Sequence, residues 1–261
     1  MSEISARLEL ANAASRDAAT LILQHYQSQT LGVESKADDS PVTIADRGAE
    51  QSIRGQIAAS FPDDGILGEE FDDVTGTSGF RWIVDPIDGT KPFIYGVPLF
   101  GTLIGIERDG RMVGGVCRFP ALHEVVYAAE GSGAWWQIGD QPARPARVSN
   151  EANLANARLM FTEPTSDIRA GRGWVLPKFL QQVRIARGWG DCYGHMLVAT
   201  GRADIAVDPQ MSAWDIAALI PIVREAGGSC TDWNFEENIF GGDGVSCAPG
   251  LVDAVRDVLT A

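Results

Sequence analysis

The 261-residue chain is short of basic residues, since 21 lysines and arginines stand against 35 aspartates and glutamates and leave a formal net charge of −14. A surface of that sign repels nucleic-acid phosphates and anionic membranes, so we expect neither as a partner. A small anionic substrate is still compatible with it, because bound divalent cations invert the local field.

Cysteine and histidine are scarce as well, with four and three residues. Their positions do not have the spacing of a zinc site. The scattered cysteines, without a C-x-x-C pair, are typical of reduced thiols and predict a cytoplasmic protein. No apolar run is long enough to span a bilayer, and the first residues lack the basic and apolar segments of a signal peptide.

Helix and strand patterns mix along the whole chain. Apolar residues three and four positions apart predict helices over residues 4–26, 44–60, 191–200 and 214–226. The last of these contains Pro221, where we expect a kink. Short apolar runs predict strands, one of which ends at Asp85. Because helices and strands do not alternate strictly, the mixture favours a layered α/β or α+β fold.

The most informative stretch is Trp-Ile-Val-Asp-Pro-Ile-Asp-Gly-Thr at residues 82–90. An apolar run ends there in Asp85 and Asp88, and Pro86 fixes the backbone between them. Carboxylates on a stiff turn suit hard, oxygen-preferring cations. The backbone N–H groups that follow suit a phosphate. A metal and a phosphate at one turn indicate phosphoryl chemistry.

Further carboxylates extend this pattern. Glu69 ends another short strand, and Asp215 opens the predicted helix after Trp214. Oxygen-only ligands favour Mg²⁺ or Mn²⁺ over zinc, and a bridging Asp85 would let one ion activate water while another stabilises the leaving oxygen. Each acid also has an ordinary interpretation: Asp88 in a turn, Asp215 as a helix N-cap and Glu69 in a solvated pair.

The motifs together resemble the inositol monophosphatase superfamily. They are Gly-Glu-Glu at 68–70, Asp-Pro-Ile-Asp-Gly-Thr at 85–90, Trp-Asp at 214–215 and Glu-Ala-Gly-Gly at 225–228, with Lys36, Pro-Val-Thr at 41–43 and Asp46 before them. The resemblance spans nearly the whole chain. It implies an αβαβα sandwich, phosphate-monoester hydrolysis, two or three Mg²⁺ ions with Mn²⁺ as the alternative, and a homodimer.

The resemblance also implies roles for single residues. The implied metal ligands are the carboxylates of Glu69, Asp85, Asp88 and Asp215 and the backbone carbonyl of Ile87. Asp46 and Thr90 would polarise the attacking water. The backbone N–H groups of Gly89 and Thr90 would bind the phosphate.

Some of the implied contacts have an equally ordinary alternative. Lys36 and Asp38 would lie on a loop that closes near the metals, and Glu70 would reach a third ion through water. A solvated surface position is the alternative for all three.

The proline- and alanine-rich segment 141–147 predicts a boundary between two lobes. The N-terminal α+β lobe, 1–146, would carry most metal ligands, and the C-terminal α/β lobe, 147–261, would carry the last metal aspartate and the segment that selects the substrate.

The second half resembles the histidinol-phosphatase branch, in Gly-Asp-Cys-Tyr-Gly at 190–194 and in the run 215–222. Histidinol phosphate carries an ammonium group and an imidazole. Asp191 and Asp208 would accept hydrogen bonds from these groups. The alternative for Asp191 is a helix N-cap.

Aromatic residues add to this resemblance and also qualify it. Trp189 or Tyr193 would cover the face of the imidazole ring. Trp214 is instead typical of inositol monophosphatases. We therefore predict an Mg²⁺-dependent histidinol-phosphatase of histidine biosynthesis. The alternatives are an inositol-1-monophosphatase, a broad-specificity small-molecule phosphatase, a bisphosphate nucleotidase and a non-catalytic binder of phosphorylated ligands.

Overall fold

The computed structural model describes residues 2–28, 33–35 and 41–260. The predicted loop contacts Lys36 and Asp38 lie outside these residues. The described chain begins with helix α1 (Glu3–His25), the antiparallel strands β1 (Val33–Ser35) and β2 (Pro41–Thr43), and helix α2 (Ile44–Ser60). Among the described residues, no helix has the length and apolar character needed to cross a membrane.

The first large sheet has seven strands in sequence order. They are β3 (Gly65–Gly68), β4 (Phe80–Asp88), β5 (Gly101–Arg108), β6 (Arg111–Phe119), β7 (Glu124–Ala129), β8 (Ala134–Ile138) and β9 (Arg144–Pro145). β3 is parallel to β4, and the other neighbours are antiparallel. Asp109 and Gly110 have φ of 50° and 84°, as the tight turn of the β5–β6 hairpin requires.

The second large sheet has five strands in the order β11-β10-β12-β14-β13. These are β10 (Arg158–Phe161), β11 (Ile185–Arg187), β12 (Ile205–Asp208), β13 (Ser229–Thr231) and β14 (Gly244–Cys247). The remaining helices are α3 (Thr90–Ile94), α4 (Pro164–Arg169), α5 (Val175–Leu180), α6 (Asp191–Ala199), α7 (Ala213–Ala217), α8 (Leu219–Glu225) and α9 (Val252–Thr260).

The two faces of each sheet pack against different helices. In β4, Trp82 and Val84 belong to a core with α1 and α2, and Ile83 belongs to a core with α6, α7 and α8. This split follows from the alternation of side chains along a strand. In the second sheet, Met160 packs against α6, and Leu159 packs on the opposite side with α5 and α9. The layers therefore form the expected αβαβα sandwich.

The predicted lobe boundary lies near a change of sheet. The first sheet ends at Pro145 and the second begins at Arg158. One apolar core nevertheless contains residues of β4 and β5 together with residues of β13 and α6–α8. The division into lobes 1–146 and 147–261 stays a prediction.

Two elements differ from the sequence expectations, both near a proline. The helix predicted over 214–226 is interrupted at Ala218, three residues before Pro221. Pro221 has no N–H for the carbonyl of Ala217, and its ring crowds that carbonyl, so the break falls one turn before the proline. The strand predicted to end at Asp85 continues to Asp88.

The Asp-Pro-Ile-Asp segment is a β-bulge and not a turn. Asp85 is paired with Leu103 and Asp88 with Gly101, so β4 has one more residue than β5 over this stretch. Pro86 lacks the N–H that the ladder would need, and its carbonyl instead accepts a hydrogen bond from the Thr102 hydroxyl at 2.9 Å. The bulge thus presents both aspartates at one end of the strand.

Two glycines let helices α7 and α8 approach the first sheet closely. A Cβ atom built on Gly115 would lie 2.3 Å from the carbonyl oxygen of Ala218. One built on Gly105 would lie 2.9 Å from the Cβ of Ala217. No side chain fits at either position without moving the helices, which carry Asp215.

A buried ion pair fixes α1 to the first sheet. Asp64 accepts hydrogen bonds from Nε and Nη2 of Arg7 at 2.7 and 2.8 Å, from Nε1 of Trp82 at 2.8 Å and from the hydroxyl of Ser78 at 2.6 Å. Burial alone would raise the pKa of Asp64, but these hydrogen bonds outweigh it and lower the pKa. The Arg7 guanidinium also lies 3.6 Å from the centre of the Phe80 ring.

Candidate active site

Three carboxylates form the centre of the site. Asp85, Asp88 and Asp215 each offer an oxygen, and these oxygens lie within 4.8 Å of one another. The bulge at the end of β4 presents the first two. Asp215 is the third residue of α7, and its Oδ2 accepts the backbone N–H of Ser212 at 2.7 Å. Ser212 is therefore the N-cap of this helix, and the N-cap interpretation of Asp215 is wrong.

Glu69 borders this centre. It follows β3, whose last residue, Gly68, is paired with Val84, and its N–H donates to the Val84 carbonyl at 3.2 Å. This register places Glu69 beside Asp85. Its charge is among the causes that raise the pKa values of Asp85 and Asp46, after burial.

The electrostatics of the cluster call for a cation. Burial and the neighbouring carboxylates raise the pKa values of Asp85 and Asp88 well above their ordinary range. Burial likewise raises the pKa of Asp215 to about 7. Among the described residues, Oδ1 of Asp85 is buried and has no hydrogen-bond partner. Oxygen-only donors of like charge, one of them unsatisfied, fit a hard divalent cation.

Asp46 and Thr90 have separate partners in this structure. Within the described part of the chain there is no hydrogen bond between them. Oδ2 of Asp46 accepts both the N–H of Thr43, at 2.8 Å, and the Thr43 hydroxyl, in a capping box at the start of α2. The Thr90 hydroxyl donates to the carbonyl of Ile87 at 3.2 Å. Thr43, three residues before Asp46, is its local capping-box partner, and the Asp46–Thr90 pair that would polarise water stays a prediction.

The turn at Gly89 leads into a short helix, and phosphate binding there stays a prediction. Gly89 has φ of 80° and precedes α3, whose first N–H groups have no acceptor within the helix. A Cβ atom built on Gly89 would lie 3.1 Å from the Leu99 carbonyl and 3.5 Å from Oδ2 of Asp191. Only glycine suits this conformation and this space, and the Asp191 carboxylate lies directly against the turn.

Helix α6 meets the carboxylate cluster at its first residues. The N–H of Cys192 donates to Oδ2 of Asp88 at 2.6 Å. Asp191 has φ of 49°, and its N–H donates to the Thr162 hydroxyl at 2.8 Å. The N-cap of α6 is Gly190, so the N-cap interpretation of Asp191 is wrong. Burial, and then the charges of Asp208 and Asp215, raise the pKa of Asp191 to about 7.

Asp208 and Tyr193 both have partners within the protein. The two oxygens of Asp208 accept hydrogen bonds from the Thr162 hydroxyl and from Nε2 of His195, the latter at 3.0 Å. The Tyr193 ring packs edge-on against Phe119 at 5.1 Å. Asp208 is buried and Tyr193 is half-buried, and contact of either residue with a substrate stays a prediction. Trp189, in contrast, is 48% exposed.

Several residues at the site were missed by the sequence analysis. They are Thr43 beside Asp46, Thr162 beside Asp191, the ion pair of Lys91 with Glu163 at 2.6 Å, and Glu50 with Arg54 behind Glu69. Thr43 could have been found, since a threonine three residues before an acid is a capping-box signal. Glu50 and Arg54 form a local i,i+4 pair on α2, but their contact with the Glu69 segment, like the contacts of Thr162 and Glu163, crosses a long sequence separation. Oε2 of Glu50 accepts the N–H of Glu70 at 2.8 Å, and contact of Glu70 with a third ion stays a prediction.

Metal removal should change stability in a pH-dependent manner. The pKa of Asp215, about 7 when folded against the usual 3.8, means that its contribution is favourable below about pH 4 and is lost as the pH rises through 7. Mg²⁺ at about 100 times its dissociation constant would add about 2.7 kcal/mol to the free energy of unfolding. We expect the Tm difference between Mg²⁺ and EDTA to widen from about pH 5 to pH 8. A difference that is constant across this range in scanning fluorimetry would contradict the assignment of the cluster.

Comparison with known proteins agrees with this geometry. The family model described as Inositol monophosphatase family matches residues 3–258. A histidinol-phosphatase of Chlorobaculum parvum is 47% identical over 241 residues, 92% of this chain and 91% of that protein. A histidinol-phosphatase of Mycobacterium tuberculosis is 40% identical over 263 residues, 100% of both chains.

A solved structure shares the fold. The extragenic suppressor protein suhB of Bartonella henselae superposes on this chain with a TM-score of 0.89 at 30% identity, and the match covers 98% of each chain. The chain belongs to the inositol monophosphatase family, and the predicted resemblance is confirmed. It is accordingly a phosphoric monoester hydrolase that acts on small-molecule phosphate esters.

Proposed function

We propose that this phosphatase hydrolyses L-histidinol phosphate to L-histidinol and phosphate, with two or three Mg²⁺ ions as cofactors. The observation that carries the proposal is the carboxylate of Asp191 against the Gly89 turn. An acid at that position would be adjacent to a phosphate bound at the turn, where the aminoalkyl part of the substrate would begin. The relatives named histidinol-phosphatase support the same substrate. A cytoplasmic location and a homodimer stay predictions.

The metal ligands combine the carboxylate cluster with the family pattern. Asp85, Asp88 and Asp215 offer oxygens close enough to share an ion, and the family resemblance adds the Glu69 carboxylate and the Ile87 carbonyl as further ligands. When bound, the ions would lower the pKa of a water molecule and offset the charge of the phosphate. The buried carboxylates carry negative charge that no basic side chain among the described residues of the cluster balances, and bound cations would offset it.

The remaining groups orient the substrate and accept a proton. The N–H groups of Gly89 and Thr90 would hold phosphate oxygens at the turn. Both hydrogen bonds from Thr43 reach Oδ2 of Asp46, so we assign proton acceptance to its Oδ1. Burial raises the pKa of Asp46 to about 6, close to the neutral pH at which a general base works well.

Substrate preference is tested by phosphate release from L-histidinol phosphate and from inositol 1-phosphate, each with Mg²⁺ and with EDTA. We expect a strong preference for histidinol phosphate that EDTA abolishes. Preference for the inositol ester would keep the metal site and overturn the substrate. Release from neither ester would overturn the proposal and direct attention to bisphosphorylated substrates.

An Asp191→Asn variant tests the residue that carries the proposal. Loss of a hydrogen bond to a charged group, about 1.5–3 kcal/mol, should lower kcat/KM for histidinol phosphate about 10- to 100-fold. The rate on inositol 1-phosphate, which lacks a cation, should change much less. An equal loss on both esters would show that Asp191 supports the metal site and does not recognise the cation. Asp140→Asn, on an exposed turn, is the matched control.

A further inference from the structure

Glu50 is a fully buried carboxylate outside the catalytic groups described so far, with 0% exposure on helix α2. Its Oε1 accepts a hydrogen bond from Nε of Arg54, one turn further along the helix, at 2.7 Å. Its Oε2 accepts the backbone N–H of Glu70 at 2.8 Å. Both oxygens of the buried charge are therefore used, one by a cation and one by a backbone donor.

Arg54 continues the same set of contacts along the chain. Its Nη2 donates to the carbonyl of Phe71 and its Nη1 to the carbonyl of Asp72, both at 2.9 Å. A guanidinium can bind two successive carbonyls in this way because its donors form a rigid fork. Together the two side chains, which we call the Glu50–Arg54 clasp, bind the backbone of three consecutive residues, 70–72.

The clasp lies against the residue that precedes Glu69 as well. A Cβ atom built on Gly68 would lie 2.0 Å from Oε1 of Glu50 and 2.7 Å from Nη2 of Arg54. Glu69 is thus held between Gly68, which packs on the clasp, and Glu70, which is bonded to it. On its other side, Glu69 is held by the hydrogen bond of its N–H to the carbonyl of Val84.

Residues 69–79 contain no helix or strand, and their β-pairing with β3 is limited to one isolated bridge between Ile66 and Val74. A segment without a strand ladder must be ordered by other contacts. Without them, each metal-binding event would have to order the segment and would lose the conformational entropy of its backbone. We propose that Glu50 and Arg54 are positioning residues that fix Glu69 for the cation and thereby set the metal affinity of the site. The inference rests on the proposed metal site and not on the choice of substrate.

Arg54→Lys and Glu50→Gln test the clasp. Lysine keeps the charge and removes the fork, and glutamine keeps an acceptor for Glu70 and removes the charge. Loss of a group that orients a ligand should raise the dissociation constant of the metal about 10-fold or more. Calorimetry measures this constant for Mg²⁺, and electron paramagnetic resonance of the free ion measures it for Mn²⁺. The rate at saturating Mg²⁺ should recover to near the wild-type value. Arg256→Lys is the matched control, since Arg256 pairs with Asp253 on an exposed helix face.

The outcomes separate this inference from the others. Wild-type metal affinity in both variants, with or without a lower Tm, would overturn it and leave the clasp a purely structural feature. Weaker metal binding with recovered turnover would support it. Metal binding by the wild-type protein without release from histidinol phosphate would overturn the substrate alone, and absence of metal binding by the wild-type protein would overturn the site and the clasp together.

Discussion

An Asp88→Asn variant is expected to lose Mg²⁺-dependent phosphate release by about 10³-fold or more, because stabilisation by a bound cation is worth several kcal/mol and each 1.36 kcal/mol is tenfold in rate. The change removes one charge from the carboxylate cluster and alters little else. Asparagine retains an oxygen that can accept the N–H of Cys192, which now donates to Asp88 at 2.6 Å. The fold should therefore persist.

The design of this test uses the electrostatics of the cluster. Burial and like charges raise the pKa of Asp88, so the neutral side chain should leave Tm in EDTA equal to or above that of the wild type. The addition of Mg²⁺ should then raise Tm less in the variant. Asp140→Asn controls for the loss of an exposed aspartate. More than a tenth of the wild-type rate in Asp88→Asn, with correct folding, would contradict the metal assignment.

An Asp64→Ala variant should lose about 3–5 kcal/mol of unfolding free energy, the usual result of removing one partner of a buried ion pair. Arg7 would keep its charge between the rings of Phe61 and Phe80 without its carboxylate. Trp82 would lose the acceptor for its indole N–H. Urea unfolding followed by tryptophan fluorescence measures the change.

The neighbouring residue provides the control for this second variant. Asp63 is exposed, and its backbone carbonyl makes the contacts of that turn. Asp63→Ala should therefore stay within about 0.5 kcal/mol of the wild type, as most surface substitutions do. If Asp63→Ala and Asp64→Ala destabilise equally, the turn and not the ion pair attaches α1 to the sheet.

The sequence predicted best where one local pattern determined the outcome. The periodicity of residues 4–26 and 44–60 predicted α1 and α2 to within two residues, and Asp109-Gly110 predicted the β5–β6 hairpin. The motif at 85–90 placed two carboxylates together, because chain neighbours must be close in space. In these cases no distant residue had to be known.

Prediction failed where a distant residue made the decision. The sequence indicated Asp208 as a substrate contact, but it gave no sign of His195 and Thr162, the partners that the fold brings to it. The clasp joins residues 50 and 70 across a loop and a strand. The backbone between Asp85 and Asp88 was expected to turn, but pairing with β5 kept it in the sheet as a bulge. Packing decided each of these outcomes, and a single sequence does not display it.

The glycines at 105 and 115 give the site a dependence on residues that have no chemistry of their own. They set how deep α7 and α8 sit on the first sheet, and α7 carries Asp215 towards Asp85. A methyl group at either position would lift the helix and widen the gap between Asp215 and Asp85. The spacing between the first sheet and helices α7 and α8 would therefore set the affinity for a cation. A substitution in the core could change that affinity without replacing any of the carboxylates.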